Sequence, residues 1–196
     1  MFVIVITGSD YMKNEDLRII KTKKALCNSL LDLMKEKTFE EIKVSDICNK
    51  ALINRSTFYA HFEDKYDLFS FYIEDLKTSL TEELKKNNSI KSPKDYYMGL
   101  IKILLDHIEE KKESYLAIII NNRNSIVTDI LYDTIDKDII YNLNKINDNK
   151  KDIPNKIIAS FYLGAALSVG ITWLKNLNKY KKEDIINYLS KLIPDD

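Results

Sequence analysis

Arginine, serine, threonine, tyrosine and histidine crowd into eight residues, Arg55-Ser56-Thr57-Phe58-Tyr59-Ala60-His61-Phe62, and each of these five types carries a hydrogen-bond donor. Phe58 and Phe62 stand four apart, which on a helix places both on one face and leaves Arg55, Ser56, Tyr59 and His61 pointing elsewhere. A helix anchored by two phenylalanines with donors on its far side is suited to a duplex. Arginine matches guanine O6 and N7 in the major groove, while hydroxyls and a lysine such as Lys65 match phosphate. No catalytic set competes with this reading. GxSxG, GxGxxG, HExxH and a P-loop are absent, and His61 and His107 lie far apart with no nucleophile at a telling spacing. The chain is not expected to be an enzyme, and neither a cofactor nor a metal is expected. Cys27 and Cys48 lack CxxC spacing and sit in helical patterns, which makes them small buried hydrophobes, with a thiol sensor as the alternative.

The donors must be held by neighbouring elements, and the stretch from Val44 to Phe69 contains them. Ile47 and Ala51 give a short helix its apolar face, Ile53 follows in the turn, and Asn54 is an N-cap type whose side chain can accept the N–H of Thr57. Upstream, Ile19, Leu26, Leu30, Leu33 and Met34 form a helical stripe between about Asn14 and Lys37, a first helix that braces the pair. Phe39, Ile42 and Val44 close the small core.

A helix, a short turn and a second helix rich in donors near its start is what major-groove reading requires. With Thr57-Phe58-Tyr59-Ala60-His61-Phe62 followed by Lys65 and Leu68-Phe69, the stretch from Leu17 to Phe69 resembles the helix-turn-helix of the TetR family of transcriptional regulators. The resemblance implies base contacts from Arg55, Ser56 and Thr57. It implies phosphate contacts from Ser45, Tyr59, His61 and Lys65, with Thr22 touching backbone phosphate from the first helix. Two positions depart from the family pattern. Leu52 stands where a turn glycine is usual; a left-handed leucine costs about 1–2 kcal/mol, so a different turn geometry is expected. Lys43 stands where a threonine usually opens the first helix of the pair, losing a cap and offering a cation to phosphate.

Across 196 residues Leu, Ile and Tyr dominate while Gly and Pro number 4 and 3, a composition that favours an all-α protein with short connections. Thirty basic residues balance thirty acidic ones, so no global field attracts a polyanion. From Lys13 to Lys65 the count is 11 basic against 9 acidic, and arrangement must supply the affinity. No stretch is expected to reach the roughly 18 apolar residues of a membrane helix. The FVIVIT run is short and lacks a basic flank, so a cytoplasmic protein is expected, with residues 1–12 as an extension outside the fold.

The expected division is a helix-turn-helix domain at 13–64 and a helical regulatory and dimerisation domain at 65–196. A long helix starts at about Lys65 and ends at the polar run Lys85–Ser89, and Ser92-Pro93 caps the next. Helices follow through Ile108, from Tyr115 to Ile120 and from Ile126 to Ile146. Pro154 to Lys175 is apolar or small over much of its circumference, as in a helix packed on two sides. Together with the last helix it can close a four-helix interface between two copies, through Ile158, Tyr162, Ala165, Ala166, Val169, Ile186 and Leu189. In the resembling family the last two helices are the dimer interface. Tyr97, Tyr115, Asn122, Phe161 and Trp173 are suited to lining an effector pocket. The expectation is a homodimer on a palindromic double-stranded operator, a repressor released by a small apolar or aromatic effector. The alternative is a helical module that acts through a protein partner.

Overall fold

The computed structural model describes residues 16–86, 92–122, 126, 127, 129, 130 and 153–193. The expected extension at 1–12 and nearly all of the expected helix from Ile126 to Ile146 lie outside the described residues. Those residues contain eight helices and no strand, as the all-α expectation requires. The chain divides into two compact units, Met1–Glu82 with Ala117–Leu131, and Glu83–Leu116 with Tyr132–Asp196.

In the first unit α1 (Leu17–Met34) starts on Asp16, whose carboxylate accepts the Arg18 N–H at 3.0 Å. Its stripe is fully buried at Leu26, Leu30 and Met34. Against it lies α2 (Val44–Ala51), through Ile47 and Cys48. The turn after α2 is left-handed: Leu52 has φ 57° and ψ 38°, and among the described residues no other non-glycine has a positive φ. The different turn geometry expected for leucine is therefore not adopted. The Ile53 N–H reaches the Cys48 carbonyl at 3.0 Å, a closure that needs a left-handed residue between them. Nothing holds the Leu52 side chain, which is 93 % exposed. Leu52→Gly is expected to raise stability by about 0.5–1 kcal/mol, the relieved strain less glycine's larger unfolded-state entropy. Urea unfolding checks it, and an unchanged or lower midpoint would refute it.

The second helix of the pair, α3 (Arg55–Tyr59), is short, and its hydrogen bonds run on through Ala60 to Phe62. Asn54 stands at its N-cap as expected, yet its side chain makes no cap bond. Phe58 and Phe62 are buried, with ring centroids 5.8 Å apart. Then α4 (Lys65–Lys86) begins, capped by Asp64, which accepts the N–H groups of Tyr66 and Asp67 at 2.8 and 2.9 Å.

The second unit is built on α5 (Pro93–Glu110), whose start is a complete capping box: Ser92 accepts from the Asp95 N–H, and the Asp95 carboxylate accepts from the Ser92 N–H, both at 3.1 Å. A Cβ on Gly99 would run into Leu84. The helix α6 (Lys112–Asn121) leaves the unit after Leu116. His107 of α5 and Tyr115 of α6 share a 2.8 Å hydrogen bond, and burial pushes the His107 pKa down. Two further helices, α7 (Asn155–Lys175) and α8 (Lys182–Leu192), pack on α5. Lys182 holds Asp106 and Glu109 at 2.7 and 2.5 Å.

Three expectations change here. Ile157 to Leu174 holds no charged residue, and Lys156–Lys175, with a mean hydropathy of 1.8, is long and apolar enough to cross a membrane by length and composition. The expectation that no stretch comes near that length is thus overturned. Ala159, Leu163, Trp173 and Leu174 are buried in the unit, whereas Ile157 and Phe161, on another side of α7, are 59 % and 62 % exposed. Phe161 therefore faces solvent and not a pocket. On α8, Leu189 is buried with Ile185 in the protomer's own core, so it is not available to a partner; Tyr188 and Leu192 are the exposed apolar residues. Ile158, Tyr162, Ala165, Ala166, Val169 and Ile186 are half-buried.

Candidate nucleic-acid interface

The fully buried Phe58 turns one face of α3 inward, and Arg55, Ser56 and Tyr59 are exposed while Thr57 and His61 are half-buried. Beside them opens a concavity of about 390 Å³, lined by Ile42, Lys43, Val44, Ser45, Arg55, Tyr59, Asp64, Lys65 and Tyr66. Residues from the start of α2, from α3 and from the start of α4 thus meet at one place. Of the nine expected DNA-contacting residues, Lys43, Ser45, Arg55, Tyr59 and Lys65 line it. Ser56, Thr57 and His61 lie outside the lining at α3, and Thr22 is half-buried on α1.

The start of α2 is organised by Asp46, which the sequence reading passed over. Its carboxylate accepts from Lys37 Nζ at 2.9 Å and from the Lys43 N–H at 3.2 Å, with Ser45 Oγ at 3.5 Å. The Lys37 ammonium, then the Lys43 N–H, holds the Asp46 carboxyl below the usual aspartate range. Lysine has no acceptor, so only the reciprocal half of a capping box forms, from the third helical residue back to the N-cap. An acidic residue three positions after the N-cap was the available signal. The outcome is a helix start fixed by Asp46, with Lys43 exposed at its N-cap and Ser45 beside it.

Lys65 does something other than expected. Its Nζ donates to the carbonyls of Phe39, Glu40 and Ile42 at 2.8, 2.9 and 2.8 Å, and it lies 5.0 Å from the Phe39 ring. An ammonium has three N–H donors, and all three are taken. Lys65 therefore braces the loop between α1 and α2 and is not placed as a phosphate ligand.

Four of the residues expected to line a pocket, Tyr97, Tyr115, Phe161 and Trp173, belong to the second unit. Tyr97 and Trp173 are buried in the second unit, and Tyr97 stacks on Tyr162 with centroids 3.8 Å apart. Tyr115 is half-buried against His107. Asn122 belongs to the first unit, where its amide bonds Phe39 and Met34.

An all-α chain with an exposed donor-bearing helix fixed in a helix-turn-helix is a DNA-binding regulator by architecture. Residues 29–70 match the family model described as bacterial regulatory proteins, tetR family, and residues 95–195 match one described as a transcriptional regulator C-terminal region; the chain belongs to the TetR family of transcriptional regulators. It is 32 % identical over 107 residues to the HTH-type dhaKLM operon transcriptional activator DhaS of Lactococcus lactis, an alignment spanning 54 % of this chain and 52 % of that protein. The chain thus spans about half the length of this curated relative. Among solved structures it is similar to a TetR transcriptional regulator from Streptococcus agalactiae, with 25 % identity, a TM-score of 0.62 and coverage of 91 % and 96 % of the two chains. It shares the fold of the regulator FadR from Bacillus subtilis in complex with stearoyl-CoA, at 14 % identity, a TM-score of 0.59 and coverage of 86 % and 96 %.

Proposed function

We propose that this regulator is a cytoplasmic homodimer that reads a roughly palindromic operator, with residues 13–64 as the reading domain and 65–196 as the regulatory and dimerisation domain. The observation that carries the reading is α3 itself, anchored by the buried Phe58 and exposing Arg55, Ser56 and Tyr59 beside the basic concavity. Arg55, Ser56 and Thr57 take base edges. Lys43, Ser45 and Tyr59 take phosphate, with Thr22 and His61 at the margin. Two such helices in a two-fold dimer would reach successive major grooves, roughly 34–36 Å apart.

Arg55→Ala is expected to weaken binding to the operator by about 1–3 kcal/mol and to relax preference at one position per half-site. Competition against random duplex measures this; unchanged selectivity would remove Arg55 from base reading. Binding should also fall steeply with salt as counterions are released. Affinity insensitive to salt would favour a protein partner instead.

The regulatory half of the reading is repression relieved by a small apolar or aromatic effector. Trp173 supports a bound molecule with an acceptor atom, because its indole N–H is buried with no acceptor among the described residues. That the same fold carries stearoyl-CoA in the Bacillus subtilis regulator is in keeping with a ligand in this unit. A second reading, activation, has its own support: the Lactococcus lactis relative is an activator. Transcription from the bound promoter with and without the protein separates the two.

A further inference from the structure

The loop from Lys35 to Lys43 sets where α2 begins, and so sets the reading pair. Its chain is held from an unexpected direction. At the start of the loop, the last carbonyls of α1 lack intrahelical donors. Asn121, the last residue of α6, donates to the Lys35 carbonyl at 2.6 Å. The Asn122 amide nitrogen donates to the Met34 carbonyl at 3.2 Å and to Ile118 at 2.9 Å, and its oxygen accepts the Phe39 N–H at 2.6 Å. One side chain thus joins the end of α1 to the middle of the loop, across 83–88 residues of sequence and within one compact unit.

Phe39 is consequently fastened on both backbone groups: Asn122 takes its N–H and Lys65 takes its C=O, while its ring is fully buried against Tyr66 and Phe69. Three residues after Ile42 is included in the Lys65 brace, Ser45 already lines the concavity. Asn122 is 6 % exposed, so water does not replace a lost bond. The task needs a donor and an acceptor on one short side chain, which aspartate and alanine do not supply.

We propose that Asn122, backed by Asn121, is a positioning residue for DNA reading: it holds the loop between α1 and α2 so that the reading pair keeps one presentation. The inference rests on the DNA-binding reading above. The test uses the full chain and Asn122→Asp and Asn122→Ala, with two readouts. The first is amide hydrogen exchange at Phe39 and its neighbours, relative to the core amides of Leu26 and Leu30. The second is affinity for a duplex that the wild-type chain selects from a random-sequence pool, relative to an unselected duplex.

The expected result is Phe39 exchange faster by about tenfold with the core amides unchanged. Affinity for the selected duplex falls by about tenfold, while the unselected duplex, bound through phosphates alone, is little affected. Equal acceleration of all amides, with both duplexes weakened alike, would reduce Asn122 to general stability and overturn the proposal. So would unchanged exchange at Phe39. If neither variant folds, the wild-type chain decides: Phe39 protected like Leu30 supports the latch, and an unprotected Phe39 overturns it. A wild-type chain that selects no duplex defeats the DNA-binding reading, and exchange at Phe39 still decides whether the latch exists.

Discussion

Phe161→Glu is expected to convert the proposed dimer into a monomer and to lower affinity for a two-half-site duplex by about 10²–10⁴-fold. Phe161 and Ile157 lie one turn apart on α7, both more than half exposed, in a stretch without a single charge. Burying that face against a second copy is the simplest way to shelter it. In a two-fold interface each substitution occurs twice, so two carboxylates would enter an apolar contact with no cation to pair them. The protomer's own fold is unaffected in this argument, because Phe161 already points to solvent. Sedimentation velocity with far-UV circular dichroism checks both halves. A folded variant that stays dimeric would move the interface off this face of α7.

Lys65→Met is expected to lower the stability of the first unit by about 2–4 kcal/mol, because three backbone carbonyls lose a charged donor while methionine keeps most of the packing volume. The half-buried setting lets water recover part of the loss, which is why the figure is below three full bonds. Lys65→Arg should rescue little, since a planar fork does not converge on three carbonyls around one point. Urea unfolding followed by circular dichroism gives the stability change. The salt slope of DNA binding separates bracing from phosphate contact. A phosphate ligand lost from each half-site would lower the slope by about one per site, and the brace predicts no change in slope for the folded variant.

The contrast between these residues shows what sequence patterns carry. Phe58 and Phe62 were readable because their partners are local: a spacing of four fixes the face whatever lies beneath it. Ser92 and Pro93 were readable for the same reason, since a helix cap is settled within its first turn, although Asp95, which completes the capping box, was not picked out. For Lys65 the motif indicated an important position and misled about its task, because the three acceptors come from a loop 23–26 residues upstream. Asn122 was further out of reach, its partners in α1 and the following loop lying 88 and 83 residues away. On α7, periodicity had no phase to offer. A helix apolar on every side does not say which side faces its own core, so Phe161 was assigned inward; Leu189 was assigned outward because the last two helices were taken together as the interface. The membrane-like length of α7 was there to be counted, but Ser160, Gly164 and Ser168 broke the run for an eye seeking only large apolar residues.

Both cysteines of the chain are buried, Cys27 on α1 and Cys48 on α2. Burial pushes the Cys27 thiol up to about 12, with Asp75 adding to the effect, and raises Cys48 as well. The thiolate is the species that oxidants and alkylating reagents attack, so neither position reacts readily in the folded protein. For spectroscopy this makes the native chain a silent background. A single cysteine placed at the exposed Asn49 of α2 would take a spin label or fluorophore selectively, and in a dimer the two labels would report the separation of the reading heads directly, with and without DNA.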